Sequence, residues 1–223
     1  MSTPDPISAT RHAALRLEGL VYDYGDGQAL RFPDCTVPAG EHCLVLGPSG
    51  CGKSTLLHLI AGLLSPTAGR ITLAGQPLAE LRGATLDRFR GQHVGLVFQR
   101  LHLLPALTVR DNLLLAQSLA GLSVDRARIN DLLKRLGVAH RANARPEALS
   151  FGQAQRVAIA RAVINSPVVI LADEPTSNLD DGNTAEVLGL LRQEAERTGA
   201  SLIVATHDRR IREAFTHRLE LAA

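Results

Sequence analysis

The sequence predicts an α/β fold with a largely parallel sheet, a β-rich N-terminal part and a helical section inserted in its second half. Three observations lead to this prediction. Short apolar runs typical of buried strands recur along the chain, a glycine-rich loop follows one of them, and residues 100–163 combine helical periodicity with little strand signal. The chain has 223 residues and a formal net charge of +2. It is long enough for a substantial core, and no nucleic-acid partner is expected.

The N-terminal part is predicted to be a flexible tail followed by strands. Residues 1–13 form the expected tail, because the first ten are polar, include two prolines and lack the apolar core of a signal peptide. Residues 14–223 show no internal repeat or low-complexity linker and are predicted to form one domain. Within it, Ala14–Val21 alternates apolar and polar residues, as a half-buried strand does. Further strands are expected around Ala29–Cys35 and Gly69–Gly75, giving an antiparallel β subdomain.

A phosphate-binding loop follows the apolar run His42–Leu46. Its residues match G-x-x-x-x-G-K-[ST], and a helix is expected from Ser54 to Leu63. Glycines let the backbone N–H groups surround an anion, the lysine adds a mobile positive charge, and the helix start adds its positive dipole end. The predicted nucleotide-binding residues of this loop are Gly47, Pro48, Ser49, Gly50, Cys51, Gly52, Lys53, Ser54 and Thr55. The sequence therefore predicts binding of a nucleoside triphosphate.

Two carboxylates follow the apolar run Val168–Ala172. They would lie at the carboxyl edge of the sheet, where ligands bind in open α/β folds. Asp173 is placed to hold Mg²⁺ beside Ser54, and Glu174 is placed to act as the general base that activates a water. An acidic turn before Pro175 is the alternative, which the loop upstream makes the weaker one.

Gln99 and His207 also follow predicted strands, Val94–Phe98 and Ser201–Thr206. Either residue alone is more often structural than catalytic. Because both would lie at the same sheet edge as the carboxylates, they are candidates for sensing the γ-phosphate.

The three cysteines, Cys35, Cys43 and Cys51, are an odd number without metal-binding spacing and are expected to be free thiols in a reducing compartment. Cys51 lies within the glycine-rich loop. It is either a small residue that only fills space or a thiol whose oxidation would affect nucleotide binding. No apolar run approaches the roughly 18 residues that a membrane span needs.

The helical section contains a second motif. Ile129, Leu132 and Leu136 share one helical face, and Gly137 is expected to end that helix. Further on, Ser150 and Gln153 have the spacing of a capping box that opens another helix. The run Leu149–Gln153 also resembles the L-S-G-G-Q signature of ATP-binding-cassette (ABC) ATPases. With the loop, Gln99, the carboxylate pair and His207 in the family's order, the resemblance covers nearly the whole chain.

This resemblance implies a P-loop NTPase core of the RecA-like kind and a head-to-tail homodimer that sandwiches two ATP molecules with Mg²⁺. Ser150, Gly152 and Gln153 of one subunit would contact the γ-phosphate held by the other. The segment 177–180 would connect the two sites, with Asp180 near the nucleotide.

The family also assigns roles to single residues. Tyr24 matches the aromatic that stacks on adenine, with Tyr22 as an open alternative. Gln99 would touch Mg²⁺ or the attacking water and link to a transmembrane partner, and His207 would contact the γ-phosphate. One departure is Phe151, which occupies the position of the signature's first glycine. Phe does not readily adopt positive φ, so it is expected to be tolerated only at an ordinary helix start, with hydrolysis retained. A weakly hydrolysing cassette is the alternative.

The segment from Gln99 to Asn112 resembles the bacterial cassettes of lipoprotein release, macrolide efflux and cell division. That resemblance implies a transmembrane permease as partner, a peripheral place on the cytoplasmic face of the inner membrane, and export or extraction of an envelope substrate. An ATP-switched regulator of a membrane partner is the alternative. Four apolar residues are candidates either for a groove that receives a permease helix or for core: Leu101, Leu103, Leu104 and Leu107.

Overall fold

Two five-stranded sheets organise the chain, of which this computed structural model describes residues 13–25, 28–176 and 181–222. The strands are β1 Ala13–Asp23, β2 Ala29–Arg31, β3 Cys35–Pro38, β4 Cys43–Leu46, β5 Ala68–Leu73, β6 Gln76–Pro77, β7 Val94–Val97, β8 Val169–Asp173, β9 Ser201–Thr206 and β10 His217–Glu220. The α-helices are α1 Lys53–Ile60, α2 Gly83–His93, α3 Val109–Leu119, α4 Arg126–Arg135, α5 Phe151–Val163 and α6 Asp181–Thr198. The predicted tail lies almost wholly outside the described residues.

The central sheet is parallel and has the strand order β10-β4-β9-β8-β7. Strands β4, β8 and β9 are buried along their whole length, as expected when both faces of a parallel sheet are covered. Because all five strands run the same way, their carboxyl ends meet at one edge. The ends of β4, β7, β8 and β9 therefore bring the glycine-rich loop, Gln99, the carboxylate pair and His207 to the same edge.

The second sheet is antiparallel, with β1 paired to β2, β3 and β5. The single strand predicted around Ala29–Cys35 is instead two strands, separated at Phe32–Asp34, where Pro33 cannot donate to a ladder. At this break Asp34 Oδ1 accepts a hydrogen bond of 2.6 Å from the N–H of Gly19. The break and the irregular register of β1 near Gly19 belong to one local feature.

The helical section packs on the parallel sheet through α5. A Cβ built on Gly95 of β7 would lie 2.2 Å from the carbonyl oxygen of Ala162, so glycine is what allows this close approach. The predicted apolar face of α4 is buried, and Gly137 ends that helix with φ +71. In the described parts of the chain, no helix is long and apolar enough to cross a membrane.

Candidate nucleotide-binding site

One cleft of about 420 Å³ at the carboxyl edge of the parallel sheet collects most of the predicted site residues. Its lining consists of Tyr24, Ser49, Gly50, Gly52, Lys53, Ser54, Thr55, Gln99, Glu174 and His207. Three residues of the loop motif are not in this lining. Gly47 and Pro48 face a neighbouring cavity, and Cys51 is buried beneath the loop.

The glycine-rich loop has the backbone that its sequence predicts. Gly50 and Gly52 adopt φ +83 and +95, which only glycine takes without strain, and α1 begins at Lys53, one residue before the predicted start. A Cβ on Gly47 would lie 2.4 Å from Cys51 Sγ, so the loop also needs glycine there for space. The ammonium group of Lys53 donates to the carbonyl oxygens of Gly47 (2.9 Å) and Pro48 (3.0 Å). Two carbonyl groups of the loop therefore hold the Lys53 ammonium group where it can face a bound phosphate.

Glu174 is held from several sides. Thr206 Oγ1 donates to its Oε2 at 2.9 Å, while the N–H and Nδ1 of His207 lie 3.1 and 2.9 Å from its Oε1. Lys53 Nζ lies 3.4 Å from the same Oε1. The residue itself has φ +44, a strained conformation for a non-glycine, and its N–H donates to the carbonyl oxygen of Ala205 at 2.8 Å. These contacts fix the orientation of the Glu174 carboxylate, and a general base needs a fixed orientation to position a water molecule.

Asp173 is buried and has different surroundings from its neighbour. Burial raises the pKa of its carboxyl group, while a hydrogen bond with Ser54 opposes that rise. Its Oδ1 is buried and has no hydrogen-bond partner within the described residues. A buried, unpartnered carboxylate oxygen beside a serine hydroxyl is a donor set that suits a hard cation. In the part of the chain that the structure describes, no group of three His, Cys, Asp or Glu residues is placed to hold a metal ion.

The structure distinguishes the two tyrosines that the sequence left open. Tyr24 lines the cleft, is 58% exposed, and its hydroxyl makes a hydrogen bond with Thr55 Oγ1. Tyr22 lies edge-on to it with ring centroids 4.9 Å apart and packs against the core under the antiparallel sheet. Of the two rings, that of Tyr24 lies in the cleft lining, and its stacking on adenine stays a prediction.

The signature residues lie at the exposed start of α5, outside the lining of the cleft. Ser150 Oγ accepts from the N–H of Gln153 at 3.3 Å, and Gln153 Oε1 accepts from the N–H of Ser150 at 3.1 Å, which is the predicted capping box. Phe151 is 54% exposed and does not have positive φ, so it has the ordinary helix start under which it is tolerated. Gly152 has open space where a Cβ would be. Asp180 and the rest of 177–180 lie outside the described residues.

Two supporting residues were missed at the level of sequence. Thr206 holds the carboxylate of Glu174, and Gln155 of α5 donates from Nε2 to the carbonyl oxygen of Pro175, just after that glutamate. Thr206 ends its strand beside His207, which was a usable signal, whereas Gln155 lies 20 residues from its partner in sequence and gave none.

A phosphate-binding loop with its lysine after β4, a carboxylate pair at the end of β8 in the same parallel sheet, and a cleft lined by both define a P-loop ATPase. The profile of the ABC transporter family matches residues 30–177, two thirds of the chain. This protein belongs to the ABC transporter family and is one of its ATPases. The predicted family and fold class are thereby confirmed.

The names of similar proteins and structures support this assignment. The chain is 38% identical over 221 residues to the lipoprotein-releasing system ATP-binding protein LolD of Shewanella frigidimarina, covering 96% of this chain and 92% of the relative. It is 43% identical over 217 residues to the macrolide export ATP-binding/permease protein MacB 1 of Aeromonas hydrophila, but spans only 33% of that relative. Among solved structures, the dimeric bacterial ABC transporter cassette MJ0796 matches with a TM-score of 0.82 and 32% identity, covering 93% of this chain and 94% of that one. Another dimeric structure of the same cassette, in a post-hydrolysis state bound to ADP and Pi, has a TM-score of 0.81.

Proposed function

We propose that this chain is the ATP-binding and hydrolysing subunit of a bacterial ABC transporter, powering export or extraction of an envelope substrate through a separate transmembrane permease. One observation carries the proposal: the cleft is lined by the glycine-rich loop, Gln99, Glu174 and His207, whereas the signature is exposed at the start of α5, outside that cleft. A site divided in this way needs a second copy to close it. Likeness to LolD over nearly its full length favours a subunit that works with a separate permease.

The residues of the cleft divide the work of hydrolysis. Lys53 and the loop N–H groups bind the phosphates, and Tyr24 stacks on the adenine. Ser54, Asp173 and Gln99 would hold Mg²⁺, which would neutralise charge on the phosphates. Glu174 accepts a proton from the attacking water, and His207, fixed through its Nδ1 by that carboxylate, contacts the γ-phosphate.

A second copy of the chain, bound head to tail, supplies the other wall of each site. Ser150, Gly152 and Gln153, with Asp180 from the connecting segment, would then face the partner's nucleotide. The exposed helix start favours this role, because its N–H groups and dipole attract an anion, and because Gly152 leaves room for close approach.

The permease is expected to dock in an apolar groove of about 520 Å³ between the parallel sheet and the helical section. Exposed Leu63 and Leu119 lie along it, and Phe98, which precedes Gln99, forms part of its wall. This groove is not lined by any of the four candidate leucines, Leu101, Leu103, Leu104 and Leu107. Leu103 packs against the hydrophobic core, which was the alternative to a role in the groove. Binding there would place the chain on the cytoplasmic face of the inner membrane, held through the permease.

A second candidate function is an ATP-switched regulator of a membrane partner, and Phe151 favours it. A bulky exposed ring at the signature would lie beside the partner's phosphate and could slow turnover. The two candidates make different predictions for Phe151→Gly. A transport motor should hydrolyse ATP at a similar rate with either residue, because the ring has room to turn outward, and its rate should rise when the permease is present.

The test is steady-state ATP hydrolysis by wild type and Phe151→Gly, alone and with the permease captured by pull-down and reconstituted in vesicles. Similar rates, stimulation by the permease and ATP-dependent substrate movement would support the transport motor. A wild type that binds ATP but barely hydrolyses it, with turnover restored by Phe151→Gly and no substrate movement, would support the regulator instead.

A further inference from the structure

Helix α5 carries an arginine that binds the segment just after Gln99. Arg161 donates from Nη1 to the carbonyl oxygen of His102 (2.5 Å) and from Nη2 to that of Leu101 (2.9 Å). Its partners are 59 and 60 residues away in sequence. One planar guanidinium thus joins the helix that begins with the signature to the segment that follows a residue of the cleft.

The shape of the guanidinium matters more in this contact than its charge, because among the residues described it donates to two backbone carbonyls and does not pair with an anion. Within the described residues, the hydrogen-bond partners of Arg161 are two consecutive carbonyl oxygens and not carboxylates. Burial lowers the pKa of its guanidinium, which nevertheless stays charged, and charge-assisted hydrogen bonds are about twice as strong as neutral ones. A lysine has a single ammonium centre and lacks the fixed fork that reaches two carbonyls at once.

The clamped segment has a conformation that needs such support. His102 has φ +47, which is unfavourable for a residue with a side chain, and its ring lies edge-on to Phe98 at 5.0 Å between centroids. Gln99 therefore lies between two fixed points: the end of β7 at Val97 on one side and the carbonyls held by Arg161 on the other.

We propose that Arg161 is a positioning residue for hydrolysis: it fixes Gln99 in the cleft and makes that position depend on where α5 lies. Arg161 and Phe98 both line the apolar groove, so a permease bound there would act on the same clamp. The inference rests on the proposed role of Gln99 in hydrolysis. It adds that a shift of α5, or binding in the groove, would change the position of Gln99 through the guanidinium of Arg161.

The test compares ATP hydrolysis by Arg161→Ala and Arg161→Lys in the wild-type and Gln99→Ala backgrounds. Arg161→Ala should lower kcat by about 10- to 100-fold, the cost of misplacing a group by about an ångström, with the KM for ATP nearly unchanged. Arg161→Lys should recover part of that loss. Once Gln99 is alanine, Arg161→Ala should add little further loss, because the residue acts through Gln99.

Arg156→Ala is the matched control. This arginine is also on α5 and also donates to a backbone carbonyl, that of Leu136 at 3.0 Å, but its partners lie away from the Gln99 segment. Hydrogen–deuterium exchange of the nucleotide-free proteins supplies a readout besides activity. Arg161→Ala should speed exchange over residues 99–103 without doing so over α1, and Arg156→Ala should leave residues 99–103 unchanged.

Several results would overturn the inference. They are a wild-type kcat for Arg161→Ala, an equal loss with Gln99 present or absent, and unchanged exchange over residues 99–103. If Arg161→Ala does not fold, Arg161→Lys must show the same non-additivity with Gln99→Ala. Should Gln99→Ala itself hydrolyse at the wild-type rate, the catalytic assignment of Gln99 fails as well, which distinguishes that failure from one confined to Arg161.

Discussion

Asp173 and Glu174 are adjacent in sequence but have opposite surroundings. Glu174 receives hydrogen bonds from Thr206 and His207 and lies near Lys53, so its carboxylate is compensated. Asp173 is buried with one oxygen unpartnered, and burial raises its pKa. The hydrogen bond with Ser54 offsets the cost of burying this carboxylate only in part. The remaining cost lowers the stability of the folded protein until a ligand binds the carboxylate, which is the behaviour expected of a cation ligand.

Asp173→Asn should therefore make the nucleotide-free protein more stable while impairing its function. At neutral pH we expect the free energy of unfolding to rise by about 1 kcal/mol, since an amide of similar shape carries no charge to desolvate. Because folding raises the pKa of Asp173, the carboxylate costs stability only above its ordinary titration range. The gain should thus shrink as pH falls and Asp173 becomes protonated.

Urea unfolding of both proteins at neutral and acidic pH measures this difference, and thermal shifts with ATP give the ligand response. ATP should stabilise wild type more with Mg²⁺ than without it, and this dependence should be lost in Asp173→Asn. A variant less stable than wild type at neutral pH, or one that keeps the Mg²⁺ dependence, would rule out the cation-ligand role.

Helix α5 is fixed at its start by its own sequence and at its C-terminal part by a glycine of β7. Its capping box satisfies the helix start, and Gly95 lets its C-terminal part lie close to β7. Gly152 serves neither purpose, because a Cβ there would meet open space and its φ is not positive. The isolated chain thus has no structural need for glycine at this exposed position. We expect that Gly152 is needed for close contact with the second copy of the chain.

Gly152→Ala should accordingly leave the fold intact and impair the dimer. Alanine favours a helix over glycine by up to about 1 kcal/mol, so the melting temperature should stay equal or rise. ATP binding by the monomer should be unchanged, whereas ATP-dependent dimerisation should weaken. Gly189→Ala in α6 is the control, since that position is also helical with open space for a Cβ. Equal dimerisation of the two variants would contradict a close contact at Gly152.

The elements that sequence reasoning predicted are those with local signals. Alternation in β1, the apolar runs of β4, β8 and β9, and the cap of α5 are all written in adjacent residues. Strand β10 was missed because, as an edge strand of four residues with only Leu219 buried, it lacks a continuous apolar run. Helix α2 was missed because it has no buried residue and hence no apolar face.

The site residues also divide into those with a local sequence signal and those that only tertiary packing identifies. The loop, the carboxylate pair and the signature are contiguous motifs, so their residues could be recognised from the sequence, whereas their roles stay predictions. The choice of Tyr24 over Tyr22 depends on which ring faces the cleft, and the groove beside Phe98 and the clamp by Arg161 depend on packing between distant segments. These features arise from tertiary contacts, which no local pattern encodes.

In the proposed mechanism, two copies of the chain close over ATP and Glu174 then acts as the general base of hydrolysis. The most direct measurement is sedimentation velocity of Glu174→Gln with and without Mg²⁺-ATP, beside its rate of ATP hydrolysis. We expect a monomer that becomes a stable dimer with ATP, and hydrolysis slower than wild type by about 100-fold or more, the range for loss of a general base. A variant that binds ATP but remains monomeric would contradict closure of two copies over ATP, and one that hydrolyses ATP at the wild-type rate would contradict the role of Glu174 as the base.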